Sequence, residues 1–333
     1  MHAPEIKTVL RQRIEEATTP EFLDARVRPH LDVSSTADTW ETYLLQLDAS
    51  GAATVEIRYG DGPSVFARFF PEGSGPGIFD KLLAVRESGF GTGSRYQVAE
   101  PLAWIPDYNL LLARGAAGEA VSDWVGIDDR KTMTGVVEAA SWLARLHTSP
   151  LRYGRPSSLV VSSELLPLAR RLAKVAAERP GYVKPAVEMI RQLERLAEDT
   201  LDGITVQSHG QYRPIHVFMT KDRVTVIDLD RSRPADPSRD VAEFLHRIRT
   251  RVFTDTGAVT RAEAPTRAFL GAYRAQTPPG YLTNLRFQWA RHLFHSLTRK
   301  MKPGDRPEGQ LDSTLTFYRS EFEQLAEGRL GTL

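Results

Sequence analysis

The spacing of apolar residues changes character twice along the chain. Residues 5 to 15 place Ile6, Val9, Leu10 and Ile14 at helical intervals among charged neighbours, which predicts one amphipathic helix ahead of the main fold. From Trp40 to Phe70 the apolar residues fall instead in short runs: Tyr43-Leu44-Leu45-Gln46-Leu47, Thr54-Val55-Glu56-Ile57-Arg58-Tyr59 and Ser64-Val65-Phe66-Ala67-Arg68-Phe69-Phe70. Gly60-Asp61-Gly62-Pro63 punctuates the last two, so the spacing predicts an antiparallel meander. A helix over 78 to 87, closed by Ser88-Gly89, and a β segment over 109 to 113 running into Gly115 and Gly118 complete this part.

Beyond Gly118 the period becomes helical. Val136, Val137, Ala140, Leu143 and Ala144 form one face of a helix ending near Leu146-His147. Leu165, Leu168, Leu172 and Val175 predict a second helix, and Val187, Ile190, Leu193 and Ala197 a third, broken from it at Pro180-Gly181. A β-type stretch over 206 to 230 interrupts the series. Helices return at Val241-Phe244-Leu245-Ile248, Leu285-Trp289-Leu293 and Leu315-Tyr318-Phe322-Leu325. The order predicts an α+β protein of two lobes: a small β-rich lobe over 1–113 with its N-terminal helix, and a larger helical lobe over 114–333 carrying the β insertion. Ligands favour the cleft of such a pair.

Composition narrows the function classes. The 333 residues are 41% hydrophobic and 26% charged, the balance of an ordinary globular protein, and the length suits two domains. With 43 Lys and Arg against 42 Asp and Glu, the net charge of +1 gives no broad footprint for a polyanion, so nucleic acid is not the expected partner. The absence of cysteine excludes a disulfide scaffold and thiolate metal sites. The charged start Met1-His2-Ala3-Pro4-Glu5-Ile6-Lys7 does not resemble a secretory signal, and no apolar run approaches a membrane span, so a cytoplasmic protein without a membrane partner is expected.

One stretch concentrates chemistry: Ser208-His209-Gly210-Gln211-Tyr212-Arg213-Pro214-Ile215-His216-Val217, then Val226-Ile227-Asp228-Leu229-Asp230, then Asp236-Pro237-Ser238-Arg239-Asp240. It resembles the aminoglycoside phosphotransferase and choline-kinase-like family. That family's catalytic loop reads H-G-D-x-x-x-x-N, its metal segment I-D-x-[DG], and its next helix opens D-P-x-x-D-[LIV]-A. Trp142-Leu143-Ala144-Arg145-Leu146-His147 resembles the family's L-A-x-L-H helix end, and the layout agrees over roughly residues 40 to 325. The resemblance implies a two-lobed protein-kinase-like fold using ATP and Mg²⁺.

Three family positions are altered. Gln211 stands in place of the catalytic Asp, His216 in place of the metal-binding Asn, and Arg68 in place of the phosphate-holding Lys, with no G-x-G-x-x-G before it. An amide can orient a hydroxyl but cannot take its proton at neutral pH. Imidazole is a poor first ligand for a hard cation, so His216 is expected to act through water, on phosphate, or not at all. Arg68 keeps a positive charge with a different, forked geometry. Asp228 and Asp230, two apart on a predicted strand, would present both carboxylates on one face for metal, with Asp230 or His216 as the alternative proton acceptor. Pairing of Asp230 with Arg231 or Arg233 stands beside that reading. The resemblance gives His209 a role in shaping the loop, and Ala113 to Gly115 a place against adenine.

Other groups have plainer readings. Asp236 and Asp240 suit a turn and a helix N-terminus. Asp80 suits a solvated face, with pairing to Arg68 as the alternative. His209, His216, Asp228 and Asp230 lack the H-x-x-x-H spacing of zinc enzymes. The run His246-Arg247-Ile248-Arg249-Thr250-Arg251 is expected to be a solvated face, whereas Arg286, Arg291, Arg299, Lys300 and Lys302 could meet an acidic substrate or partner. The sequence thus supports an ATP- and Mg²⁺-dependent phosphotransferase. Its acceptor is a hydroxyl of a small molecule, or Ser or Thr of a peptide in a dehydration system with a lyase partner. The rivals are a pseudokinase serving as a binding or scaffolding subunit and, more remotely, a helical interaction protein without nucleotide.

Overall fold

The computed structural model describes residues 3–31, 39–47, 51–72, 74–157, 161–200, 203–301 and 308–330. In chain order it runs α1 (Ala3–Ala17), α2 (Pro20–Arg26), β1 (Trp40–Leu47), β2 (Ala53–Tyr59), β3 (Val65–Phe69), α3 (Pro76–Val85), β4 (Tyr96–Val98), β5 (Pro101–Ile105), β6 (Leu110–Arg114) and β7 (Glu119–Ala120). The helices α4 (Asp129–Thr148), α5 (Val161–Glu178) and α6 (Val183–Glu198) follow. Short strands β8 (Val206–Ser208), β9 (Val217–Met219), β10 (Val224–Val226) and β11 (Arg233–Ala235) precede α7 (Ser238–Thr256), α8 (Glu263–Arg274), α9 (Leu285–Lys300) and α10 (Glu308–Ala326). The chain forms two compact units, Met1–Gly118 with Thr220–Ile227, and Glu119–Met219 with Asp228–Leu333. Among the described residues no helix is long and apolar enough to cross a membrane.

In the first unit β1, β2, β3, β6 and β5 form an antiparallel sheet in that order. Strict alternation along β2 and β3 buries Val55, Ile57, Val65, Ala67 and Phe69 on one face. The N-terminal helix, whose role the sequence left open, closes that face: Leu10 and Ala17 of α1, with Leu23 and Val27 after it, belong to the same core. The predicted helix at 78–87 is found as α3, two residues earlier. It opens into a wide turn over Arg86–Phe90, where Gly89 adopts a φ of 104°. Asn109, at a φ of 48°, turns the chain into β6, and its side-chain amide donates to the carbonyls of Phe70, Pro71 and Ser74. A parallel pair, β4 with β10, also belongs to this unit.

The second unit is built on an aromatic column. Trp142 of α4 stacks on Tyr212 at 5.6 Å, Tyr212 on Phe244 at 5.2 Å, and Phe244 on Phe269 of α8 at 4.6 Å. Tyr212 is fully buried and its hydroxyl donates to the Ala139 carbonyl at 2.8 Å, so the loop carrying it is fastened to α4. The expected β stretch over 206 to 230 is resolved into three short strands separated by turns, because the chain between them serves the site.

The basic run on α7 is not a solvated face. Arg249 is completely buried, donating to both oxygens of Glu321 at 2.6 Å and reaching Glu263 at 3.0 Å. His246 is buried as well, 2.7 Å from Ser296 Oγ. The acids that neutralise Arg249 lie on α8 and α10, too far along the chain for a local charge pattern to reveal. Of the C-terminal basic residues, Arg286 caps α10 through the Leu325 and Ala326 carbonyls, Arg291 is buried, and Lys300 lies 5.5 Å from the Tyr318 ring. Lys302 lies outside the described residues.

Candidate active site

The segment from Ser208 to His216 leaves β8 and makes a tight loop before β9. Its shape is imposed by α7. Asp240, 1% exposed, accepts the backbone N–H of His209 at 2.6 Å through Oδ2 and that of Gly210 at 2.9 Å through Oδ1. His147, at the end of α4, holds the same carboxylate: its Nε2 is 3.3 Å from Asp240 Oδ2, while Nδ1 lies 2.6 Å from the Tyr273 hydroxyl. Burial pushes the Asp240 carboxyl upward, but the hydrogen bond and charge of His147 and the charge of His209 outweigh it, so the group is held below its ordinary value. Expected to suit a helix N-terminus, Asp240 thus serves chiefly to position the loop. Asp236 keeps its turn role, accepting from Ser238 N–H at 2.8 Å and from the Asn284 amide at 3.0 Å.

Gly210 is required at its place. Its φ is +83°, and a Cβ there would sit 2.3 Å from the Arg231 carbonyl oxygen. Beyond it His209 Nδ1 accepts the Gln211 N–H at 3.3 Å, and the buried His209 ring lies between Trp142 and His216, with centroids at 6.2 and 5.9 Å. The histidine therefore shapes the loop.

Gln211 and Arg213 flank the buried Tyr212, and their polar ends meet. With the Gln211 amide turned so that its oxygen faces Arg213, that side-chain oxygen accepts from both Arg213 terminal nitrogens, at 2.7 and 2.8 Å. Arg213 Nε donates to Glu243 Oε1 at 2.6 Å, and Arg247 joins the same oxygen at 3.4 Å. Sequence reasoning missed this chain of contacts, although the two-residue spacing of Gln211 and Arg213 was its visible signal.

His216 closes the loop on itself by donating from Nδ1 to the Gln211 backbone carbonyl at 3.0 Å. That fixes the tautomer, leaving the Nε2 lone pair 3.5 Å from Asp228 Oδ2. Burial above all, then the charge of His209, pushes His216 down to about 4 against the pull of Asp228. Two electron-rich atoms thus face each other across that gap.

The strand expected to carry Asp228 and Asp230 stops earlier. β10 ends at Val226, Asp228 adopts left-handed backbone with φ 65° and ψ 48°, and Leu229–Arg231 form a single helical turn. The shared-face argument for the two carboxylates therefore fails. Left-handed backbone at a non-glycine residue costs about 1–2 kcal/mol and turns the Asp228 side chain out of the strand direction, toward His216. Among the described residues no group of three or more His, Asp or Glu is arranged to hold a metal by protein ligands alone.

In the first unit Arg68 lies on β3, its guanidinium 5.4 Å from the Phe70 ring. Ala113 is on β6, opposite Phe66, and the N–H of Gly115 donates to the Ser64 carbonyl at 2.7 Å. A side chain at Gly115 would press within 2.9 Å of that oxygen. Asp80 on α3 is exposed, as the solvated-face reading has it.

A five-stranded antiparallel unit, a helical unit, and a histidine-glycine loop clamped by a buried aspartate beside a second aspartate define a two-lobed protein-kinase-like α+β fold. Residues 44–280 match the phosphotransferase enzyme family, and the chain belongs to it. No curated protein matches the sequence. Among solved structures, choline kinase from Cryptosporidium parvum is similar with a TM-score of 0.61 at 12% identity, over 94% of this chain and 98% of that one. A thermostable mutant of aminoglycoside phosphotransferase APH(4)-Ia, in ternary complex with ADP and hygromycin B, gives 0.59 at 12%, over 93% and 98%. Aminoglycoside-3'-phosphotransferase of type VIII gives 0.52 at 20% identity, over 82% and 98%.

Proposed function

We propose that the protein transfers the γ-phosphoryl group of ATP to a hydroxyl of a small molecule, with a Ser or Thr side chain of a peptide as the alternative source of that hydroxyl. The observation that carries this reading is Asp228, held in left-handed backbone with its carboxylate against the lone pair of His216, beside the loop that Asp240 fastens. Similarity to a phosphotransferase solved with ADP supports nucleotide use. The acceptor oxygen forms a bond to the γ-phosphorus, the bond from that phosphorus to the β-phosphate oxygen breaks, and ADP leaves with the electron pair. Asp230 takes the acceptor proton. Such transfer depends on positioning and charge neutralisation more than on a base, so Gln211 suffices to orient the hydroxyl. Arg68 would neutralise phosphate, and the backbone of Ala113 to Gly115 would meet adenine.

The donor set fits a hard divalent cation at one point. Asp228 offers oxygen, and His216 would address the ion through water. Mg²⁺ there would offset charge on the phosphates.

A second reading, a binding subunit without turnover, has one observation in its favour. Arg213 occupies the side-chain oxygen of Gln211 once the amide is turned toward it, the atom that would have to meet the hydroxyl.

Thermal unfolding with ATP and Mg²⁺, with ATP and EDTA, and with GTP and Mg²⁺ tests the proposal, because a ligand selective for the native state raises its apparent stability. Metal-dependent stabilisation lost in Asp228→Asn supports it. Stabilisation by nothing, with the protein folded, contradicts it.

A further inference from the structure

The His216 ring is held in the manner of a metal ligand. Its backbone N–H closes the turn Pro214–His216 by donating to the Arg213 carbonyl at 2.9 Å, and Nδ1 gives its hydrogen to the Gln211 backbone carbonyl at 3.0 Å. The ring lies nearly parallel to that of the buried His209, with planes 19° apart and centroids at 5.9 Å. Position, plane and tautomer are thereby fixed, and Nε2 faces Asp228 Oδ2 at 3.5 Å. Imidazoles that bind metal almost always donate their other ring N–H to a carbonyl, carboxylate or water in this way, which orients the ring and raises its basicity.

Asp228 is aimed from the other side. Its left-handed backbone, at a φ of 65°, brings the carboxylate to the ring, and both side chains reach solvent, at 12% for His216 and 21% for Asp228, so an ion can enter. The two facing atoms can converge on one ion. At bonds of about 2.1 Å, a nitrogen and an oxygen ligand 3.5 Å apart enclose about 110° at the metal, close to the tetrahedral angle and wider than the right angle of an octahedron. Mg²⁺ demands near-ideal octahedral geometry and oxygen ligands, so toward Mg²⁺ the ring contributes only through water. Divalent ions of the first transition row accept imidazole nitrogen beside carboxylate oxygen, and Zn²⁺ among them has no preferred geometry from its d-electrons.

We infer that His216 Nε2 and Asp228 Oδ2 bind one divalent ion directly, and that the pair selects a first-row transition ion, from Mn²⁺ to Zn²⁺, over Mg²⁺. Among the described residues no third His, Asp or Glu joins them, so the remaining positions fall to nucleotide phosphate oxygens and water, the usual complement of an ion that accompanies a nucleotide. The inference rests on the phosphotransferase reading and adds the class of ion to it. Histidine at 216, where the family's loop has Asn, then amounts to a change of metal preference and not to the loss of a metal site.

Titration calorimetry of the untagged full chain with ADP tests the inference without any turnover. ADP affinity is measured with Mg²⁺, Mn²⁺, Co²⁺ and Zn²⁺ for the wild type and for His216→Asn, with His216→Gln as a second variant. Dividing wild type by variant for each ion cancels the ion's own affinity for ADP. The wild type should bind ADP about tenfold more tightly than the variants with Co²⁺ and Zn²⁺ and several-fold more tightly with Mn²⁺, while with Mg²⁺ the Asn variant should bind as well or better. The visible absorption of Co²⁺ bound to the wild type with ADP needs no variant: it should differ from that of Co²⁺-ADP alone and show nitrogen ligation. An all-oxygen octahedral Co²⁺ spectrum, or the same wild-type-to-variant ratio with all four ions, overturns the inference. So does a loss of native stability in His216→Asn with no difference among ions, which marks a plain ion pair with Asp228. ADP binding with Mg²⁺ that Asp228→Asn abolishes, with equal ratios throughout, leaves the phosphotransferase standing and removes the metal assignment. No ADP binding with any ion removes both.

Discussion

Asp240 reaches across from the first turn of α7 to accept the backbone N–H of His209 at 2.6 Å, so a helix residue dictates the conformation of a loop 31 positions earlier. Its second oxygen takes the next N–H, and His147 completes the set. Asp240→Ala would bury three unsatisfied donors and should cost about 3–5 kcal/mol, the scale of breaking a buried charged pair. Asp240→Asn keeps one acceptor oxygen and should lose less. Urea unfolding of both variants checks the ranking, and equal stability of Asp240→Ala and wild type would contradict it.

Gly210 offers a sharper comparison. Gly210→Ala must accommodate both a φ of +83° and a carbonyl 2.3 Å from its Cβ, whereas Gly93→Ala, at a φ of +90°, meets nothing within 4 Å. The second variant should lose about 1 kcal/mol, the left-handed penalty alone, and the first clearly more. Melting temperatures of the pair measure the difference.

The Arg249 and Glu321 pair lies inside the helical unit, with side chains 0% and 1% exposed. Glu321→Ala leaves a guanidinium inside the protein and should cost about 3–5 kcal/mol, while Arg249→Met with Glu321→Leu together should recover much of that loss. A double-mutant cycle in urea reads the coupling.

Acid should destabilise the helical unit well before its carboxylates titrate. Burial drives His246 and His292 well below the ordinary 6.5, and His295 to about 4. Between 6.5 and those values the unfolded chain binds more protons than the native one, so stability falls as pH falls through this window. Each fully differential proton steepens the slope by about 1.4 kcal/mol per pH unit. Urea midpoints at pH 7, 6 and 5 should decline in that order; a midpoint rising toward pH 5 would contradict the account.

Much of the fold was legible because its signals are local. The meander announces itself by runs of period two and by Gly60 to Pro63, and the loop by His209-Gly210 at a fixed distance from Asp240. What escaped depended on partners far along the chain. Nothing near Arg249 reveals Glu321, so a basic run reads as solvated although half of it is buried. The backbone of Asp228 escaped for a different reason: valine and isoleucine before it favour a strand, and aspartate tolerates left-handed φ without advertising it. Helix α8 carries Phe269, Leu270 and Tyr273 at helical spacing, but Pro265 near its start and the glycine at 271 inside it weaken that signal.

The central claim is that the Asp228 and Gln211 site performs phosphoryl transfer. Its direct test is release or transfer of the ATP γ-phosphate by the wild type, Asp228→Asn and Gln211→Asp, with a panel of small hydroxyl compounds and serine peptides present. The account predicts slow transfer by the wild type, loss in Asp228→Asn with folding intact, and a gain of about 10²-fold in Gln211→Asp, where a carboxylate restores general-base help. Turnover unchanged in Asp228→Asn, or none in the wild type and in Gln211→Asp alike, would contradict it.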